Sequence, residues 1–324
     1  MHPACAPATP AFFRHQHFRT QMIMSIKRLK RSLRLVHRSL QRTWLDRTLK
    51  FRLASHWKRH VRGAPSPLPS DEALVVSLTS YPPRYPTLHL TLQSLLLQTY
   101  ADRRVVLWIA HEEMALLPAR VRALTAYGLD IRACENTRSF KKLLPALQAF
   151  PNATIVTADD DLYYWPDWLQ QLVDAASAAP GDIVAHRIHR IRHAPTGLPL
   201  PYNQWEIDSQ NTETDGLNFP TGNGGILYPP RILGPLVQDR DAYTSLCPSA
   251  DDIWFYWMGR LNGVQYRRVR SNQALHDWRG SQASALSIGN VGADANSQQI
   301  AAMIDRYGYV NRRAELSEEK DAAA

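Results

Sequence analysis

The sequence predicts an α/β domain, a mostly parallel, doubly wound sheet flanked by helices, behind a basic amphipathic helical arm. Three observations predict it. From residue 73 onward short β-rich runs alternate with helical runs, the order that builds parallel sheets. A Pro/Ser-rich stretch, residues 63–72, separates that alternation from what precedes it. The charge divides at the same place. Residues 1–63 hold 15 Lys and Arg and a single acid, Asp46, while the whole chain is only +9, so the body is mildly acidic.

The divisions expected are therefore an arm over 1–62, a linker over 63–72, a domain over 73–313 and a polar, acid-rich tail over 314–324. With 324 residues, 44% hydrophobic and 21% charged, the composition excludes a disordered chain, a collagen-like repeat and a multispanning membrane protein. Cys5, Cys134 and Cys247 are an odd, widely spaced set, which fits a reducing cytosol better than a disulfide-stapled secreted domain.

In the arm, Ile26, Leu29, Leu33, Val36, Leu40 and Trp44 recur at steps of three and four, the spacing of one helix face. Lys27, Arg28, Lys30, Arg31, Arg34, Arg38 and Arg42 fill most of the remaining circumference. A helix of this kind suits an anionic membrane surface, with contact expected through residues 26–62. The bland alternative packs the apolar stripe on the domain. Arg14 and Arg19 interrupt any leader-like apolar core, and no apolar run reaches the ~20 residues that span a bilayer.

Within the domain, Ala73–Leu78, Arg104–Ala110, Leu129–Ala133 and Ala153–Thr157 read as strands, short apolar runs bounded by turn residues. Helices are expected over Thr87–Gln98, Pro118–Tyr127 and Ser139–Phe150, the last interrupted near Pro145. Pro166 is placed to open a further helix at its first turn.

The segment Asp159-Asp160-Asp161 follows the fourth strand directly. Three adjacent carboxylates repel, so a fold must hold them with a cation or with hydrogen-bond donors. Ligands of open α/β sheets bind outside the carboxyl ends of the strands. Alternate carboxylates, Asp159 and Asp161, can converge on one side of an extended turn, and such hard oxygen ligands suit Mg²⁺ or Mn²⁺. The bland alternative is an acidic surface turn.

At these residues the chain resembles a family-2-type bacterial glycosyltransferase with a GT-A fold. Val76-Ser-Leu-Thr-Ser-Tyr81 and Leu95-Leu-Leu-Gln-Thr-Tyr100 are similar to the family's opening strand and first helix. Thr157-Ala-Asp-Asp-Asp161 with Trp165-Pro-Asp-Trp-Leu169 resembles its metal-binding DxD and the helix behind it. Gly222-Asn-Gly-Gly-Ile-Leu-Tyr-Pro-Pro230 looks like the glycine-rich loop before the acceptor region, and Ala250-Asp-Asp-Ile-Trp254 like the acidic pair that includes the base.

The resemblance implies a metal-dependent, inverting transferase that moves a sugar from a nucleotide-sugar donor to a glycan or lipid-linked acceptor in surface polysaccharide biosynthesis. Asp161 would be the principal metal ligand, and Asp159 would help hold the nucleotide or the metal. His276 would complete the metal site, or else be a hydrogen-bonded structural histidine. Asp252, with Asp251 beside it, would deprotonate the acceptor; a helix N-cap is the bland reading of that pair. Thr79, Ser80, Tyr81, Asp160 and Lys142 would line the donor pocket, although lysines at the spacing of Lys141 and Lys142 are by default exposed. At the end of the second strand His111, Glu112 and Glu113 replace the family's immediate acidic residue. Tyr163, Tyr164, Trp165 and Trp168 form one aromatic run and Trp254, Tyr256 and Trp257 another. Trp165 and Trp278, which flank the site in sequence, are the candidates for sugar stacking, the rest for core packing.

The arm would then place the enzyme on the inner face of a bacterial cytoplasmic membrane. No specific nucleic acid is expected, since the arm carries no recognisable binding module. The competing reading is a catalytically inactive membrane- or nucleic-acid-associated binding protein that keeps the fold.

Overall fold

A computed structural model describes residues 40–61, 74–271, 273–281 and 294–309. The linker, the tail and the arm before residue 40 lie outside the described residues. The chain divides into two compact units, one ending at Phe51 and one beginning at Arg52.

In the first unit the described residues, 40–51, are the start of a helix, α1 (40–60). Leu40, Trp44 and Phe51 lie close together on the helical wheel and are 64%, 69% and 74% exposed. The last two positions of the expected apolar stripe therefore face solvent. Arg47 is exposed beside them, and Arg42 is exposed on the opposite side of the helix.

The second unit is built on β1 (Leu74–Thr79), β2 (Arg103–Ala110), β3 (Leu129–Cys134), β4 (Ile155–Thr157), β6 (Ile183–Ala185), β9 (Ile226–Tyr228) and β10 (Tyr266–Arg268). Among the described residues these form a seven-stranded sheet in the order β10-β6-β9-β4-β1-β2-β3. Pairing is parallel throughout except at β9, which runs antiparallel to both β4 and β6. The architecture is the Rossmann-like GT-A arrangement that the alternation and the resemblance led us to expect.

Alternate residues of the central strands serve opposite faces, so the strands read as continuous apolar runs. Val75 and Val106 join the core of Phe140, Trp254 and Phe255. Val76, Leu78 and Leu107 join that of Leu88, Leu92 and Leu95. Those leucines belong to α2 (Tyr85–Leu96), which follows a 3₁₀ turn over Pro82–Arg84. Next come α3 (Ala119–Arg122), α4 (Leu144–Ala149), α5 (Trp168–Ser177), α6 (Arg240–Leu246), α7 (Asp251–Leu261) and α8 (Ala295–Tyr307). Two ribbons complete the unit: β5 (Leu162–Tyr163) with β11 (His276–Asp277), and β7 (Ile188–Arg190) with β8 (Asn218–Pro220).

Three expected boundaries change. The helix expected over Ser139–Phe150 is a 3₁₀ turn, Arg138–Lys142, followed by α4, which carries Pro145 in its first turn. Pro166 precedes the N-cap Asp167 of α5 instead of opening the helix. The helix expected over Pro118–Tyr127 divides into α3 and a 3₁₀ turn, Ala123–Tyr127, closed by Gly128 at φ 90°.

One consequence of this packing concerns pH. His189 on β7 is 3% exposed, and its Nδ1 accepts the Asp208 N–H at 3.0 Å. Burial, with Arg187 adding to it, pushes the ring down to about 4. The folded state thus keeps His189 neutral while the unfolded chain protonates it near 6.5. Stability is full above pH 6.5 and falls as the pH drops toward 4. Urea titration should find a loss from this residue of about 2 kcal/mol between pH 7 and pH 5. His189→Gln should flatten that part of the profile, and an unchanged slope would contradict it.

Candidate active site

The triple-aspartate turn leaves β4 at the carboxyl edge of the sheet and is held rigidly by its backbone. Tyr164 Oη accepts the Asp159 N–H at 2.7 Å, Thr91 Oγ1 donates to the Asp160 carbonyl at 3.0 Å, and the Trp278 N–H donates to the Asp161 carbonyl at 2.9 Å. Trp278 also donates its indole N–H to Thr91 at 2.9 Å and is fully buried, so it packs the turn and offers no stacking face. Trp165, half-buried, donates to the Ala274 carbonyl. The remaining aromatics of both runs, Tyr163, Tyr164, Trp168, Trp254, Tyr256 and Trp257, are core residues as expected.

Two cations meet the carboxylates. Arg84, from the 3₁₀ turn after β1, pairs with Asp161 and lies 3.6 Å from Asp160, which also accepts from Ser80 Oγ at 2.5 Å. Lys142 Nζ lies 2.9 Å from Asp251, 3.6 Å from Asp252 and 3.8 Å from Asp159. Lys142 is buried, contrary to the default for its type, as is Lys141, which pairs with Glu113 at 3.4 Å. Its position comes from the sheet. Ser77 donates to the Lys142 carbonyl at 2.6 Å and accepts the Trp108 indole N–H at 3.0 Å, tying the turn over Arg138–Lys142 to β1 and β2.

Asp251 and Asp252 occupy the first turn of α7, whose N-cap is Ala250, so neither is the cap itself. Their side chains differ in access, 9% exposed for Asp251 and 27% for Asp252. Asp252 Oδ2 accepts the Gly222 N–H at 2.9 Å. A Cβ on Gly222 would stand 2.3 Å from Lys142 Nζ, and one on Gly225 would stand 2.4 Å from Trp168 Cζ2 at a φ of 101°. Glycine is required by both approach and conformation at 225, whereas a side chain at 222 would press on the far end of Lys142.

Burial dominates the electrostatics of the cluster. It raises the Asp159 and Asp252 carboxyls above the ordinary range, against the pull of Lys142. It raises Asp160 to about 6, with Asp161 adding to the shift and Arg84 opposing it. For Lys142, burial works against the ammonium, but Asp251, Asp252 and Asp159 outweigh it and hold the group protonated well above the ordinary lysine value.

The structure thus brings Asp159, Asp160, Asp161, Asp251, Asp252, Ser80 and Lys142 together. Asp160 and Asp161 turn to Arg84 while Asp159 turns to Lys142, so the pairing follows adjacent and not alternate residues. Thr79 spends its hydroxyl on the Trp108 carbonyl at 2.8 Å, and half-buried Tyr81 caps the turn that carries Arg84. His276 sits on β11 opposite Tyr163, and among the described residues no three His, Cys, Asp or Glu side chains group to hold a metal. A cavity of about 620 Å³ beside β3 and α4, floored by Trp108 and Tyr243, is lined by none of these acids. Arg84 was missed in the sequence. The signal available was a lone cation fixed by Pro-Pro just past the first strand.

Neither a family model nor a curated protein matches the chain. Solved structures similar to it include S. aureus TarS 1–349, at a TM-score of 0.42 and 18% identity over 63% of this chain and 59% of that one. TarS 1–349 in complex with UDP-GlcNAc is similar at a TM-score of 0.40 and 17% identity over 72% of each. The chain therefore spans less than two thirds of the first of these relatives, 59% of its length.

Proposed function

We propose that the chain is a glycosyltransferase that moves a sugar from a nucleotide-sugar donor to a hydroxyl of a glycan or lipid-linked acceptor, in one inverting displacement. The observation that carries this reading is the Lys142 bridge, which joins Asp159 to Asp251 and Asp252 from segments far apart in sequence. Asp252 is the base. It is the more accessible of its pair, and a carboxyl raised by burial binds a proton more readily near neutral pH than an ordinary one does. Gly222 N–H fixes one of its oxygens, leaving the other toward Lys142. Asp251 is the counter-ion that holds Lys142 in place. Arg84 and Lys142 supply positive charge where a diphosphate leaves.

A divalent cation fits this site by the chemistry of its donors. The ion pairs described set five carboxylates against two cations, all hard oxygen ligands. Mg²⁺ typically takes only one or two carboxylates beside substrate phosphates, so a three-residue cage is not required. Asp161 and Asp159 would hold Mg²⁺ or Mn²⁺, which when bound supplies Lewis-acid neutralisation of the leaving group. A single base and a single displacement need no second carboxylate nucleophile.

The test is nucleotide release by purified protein across a panel of nucleotide sugars, with Mn²⁺, Mg²⁺ or EDTA. We expect slow, metal-dependent release from one donor, lost in EDTA and in Asp161→Ala. Neither release nor metal-dependent nucleotide binding, from a folded sample, would overturn the transferase reading in favour of a binding protein.

The exposed Leu40, Trp44 and Phe51, with Arg47 beside them, support docking on an anionic membrane surface, where surface-polysaccharide acceptors are presented. Among the described residues no helix is long and apolar enough to cross a membrane. In flotation assays the protein should rise with vesicles containing anionic lipid, and Trp44→Ser with Phe51→Ser should reduce the floated fraction at least fivefold. Equal flotation of the double variant would count against the arm.

A further inference from the structure

Beside the glycine that holds Asp252 stands a second set of charges that the transfer chemistry does not use. Arg187, just after β6, donates from Nη1 to Thr221 Oγ1 at 3.3 Å, and the Thr221 N–H donates to the Arg187 carbonyl at 3.1 Å. Thr221 immediately precedes Gly222. Arg268 closes β10, which pairs with β6 in register Arg268↔Ala185. The two guanidinium groups reach one carboxylate. Asp208 Oδ1 lies 3.3 Å from Arg268 Nη2 and 4.0 Å from Arg187 Nε.

This arrangement is unbalanced. Two cations share one carboxylate that is 49% exposed, and the Arg187 contact is longer than a hydrogen bond. Arg268, by contrast, is only 11% exposed and is anchored through its other nitrogen to the Ser209 carbonyl, so its charge is partly desolvated and fixed in direction. Asp208 itself sits at φ 52°, its N–H tied to His189. The backbone is held while the carboxylate reaches out between the arginines. Planar guanidinium forks of this kind match the oxygens of a phosphate or a carboxylate.

We infer that Arg187 and Arg268 form an anion subsite adjoining Asp252, which Asp208 fills in the free protein and which takes a phosphate or carboxylate group of the acceptor. That the anion belongs to an acceptor rests on the transferase reading; the anion binding does not. The acceptor is then an acidic glycan or a phosphorylated one, positioned by its charge so that a neighbouring hydroxyl faces Asp252.

The test is calorimetric titration of the full chain with glycerol phosphate and, separately, with glucuronate, at constant ionic strength. Arg187→Gln should weaken binding of the preferred anion about tenfold. Asp208→Asn, by removing the competing carboxylate, should tighten it by a similar factor, a sign that misfolding does not produce. The anion whose affinity follows both variants identifies the acceptor class, phosphate or uronate. Arg84→Gln separates this site from the donor side and should leave the response to Asp208→Asn intact. Binding lost in Arg84→Gln but unmoved by Arg187→Gln and Asp208→Asn would overturn the subsite. So would the absence of binding by either anion. Donor hydrolysis that fails while the Asp208→Asn response persists would sink the transferase reading and leave the subsite standing.

Discussion

Replacing Lys142 by Met should cost about 3–5 kcal/mol of stability and abolish transfer. The reason is what remains behind. Met fills the volume of the lysine stem, but Asp159, Asp251 and Asp252 are left together without the ammonium that each of them faces within 3.8 Å. Breaking a buried ion pair from one side strands its partner, and that is the expensive way to remove it. The loss should depend on pH in a defined direction. In the variant the stranded carboxyls take up protons more readily folded than unfolded, so folding gains stability as the pH falls. Urea titrations of variant and parent should therefore differ more at pH 8 than at pH 5. A constant difference would mean that Lys142 acts through packing alone. Lys142→Arg is not expected to rescue, because a planar guanidinium fork is a poor substitute for a compact ammonium set among three carboxylates.

The second large effect separates two adjacent aspartates. Asp252→Asn should lower kcat by about 10²–10⁴-fold, the usual contribution of a positioned general base, with little change in folding. The amide can still accept the Gly222 N–H through its oxygen, so the loop stays in place. Asp251→Asn removes the nearest partner of Lys142, 2.9 Å away, and should show mainly as lowered stability. Thermal melts and single-turnover kinetics on both variants distinguish these outcomes. If Asp251→Asn gave the larger loss of kcat with an unchanged melt, the roles assigned to the pair would be reversed.

Much of the sheet was legible from residues alone. β1 and β2 are buried on both faces and so read as largely apolar runs, Ala73–Leu78 and Arg104–Ala110, within one residue of the observed Leu74–Thr79 and Arg103–Ala110. β5, β6, β7, β8, β9 and β11 escape the sequence, since two or three residues carry no periodicity to detect. The acids of the site stood out because runs of like charge are conspicuous. Their partners did not. Lysine is by default an exposed residue, and nothing local to Lys142 signals that Ser77, on a strand far upstream, will draw its backbone inward. Arg84 is a single cation in a turn, and only the folded chain sets it against Asp160 and Asp161.

The reversed strand has a consequence for how the protein is made. β4 leaves the ribosome with one neighbour, β1, and its other edge stays open until β9 has been synthesised and inserted beside it. β6 waits for the same strand. The nascent chain therefore carries unsatisfied strand edges through a long stretch of synthesis, when edge-to-edge association is the main hazard. Insertion of β9 closes the open edge of β4 and one edge of β6 in a single step and carries the glycine loop to the carboxyl end of β4, while the other edge of β6 waits for β10, which follows Asp251 and Asp252 in the chain.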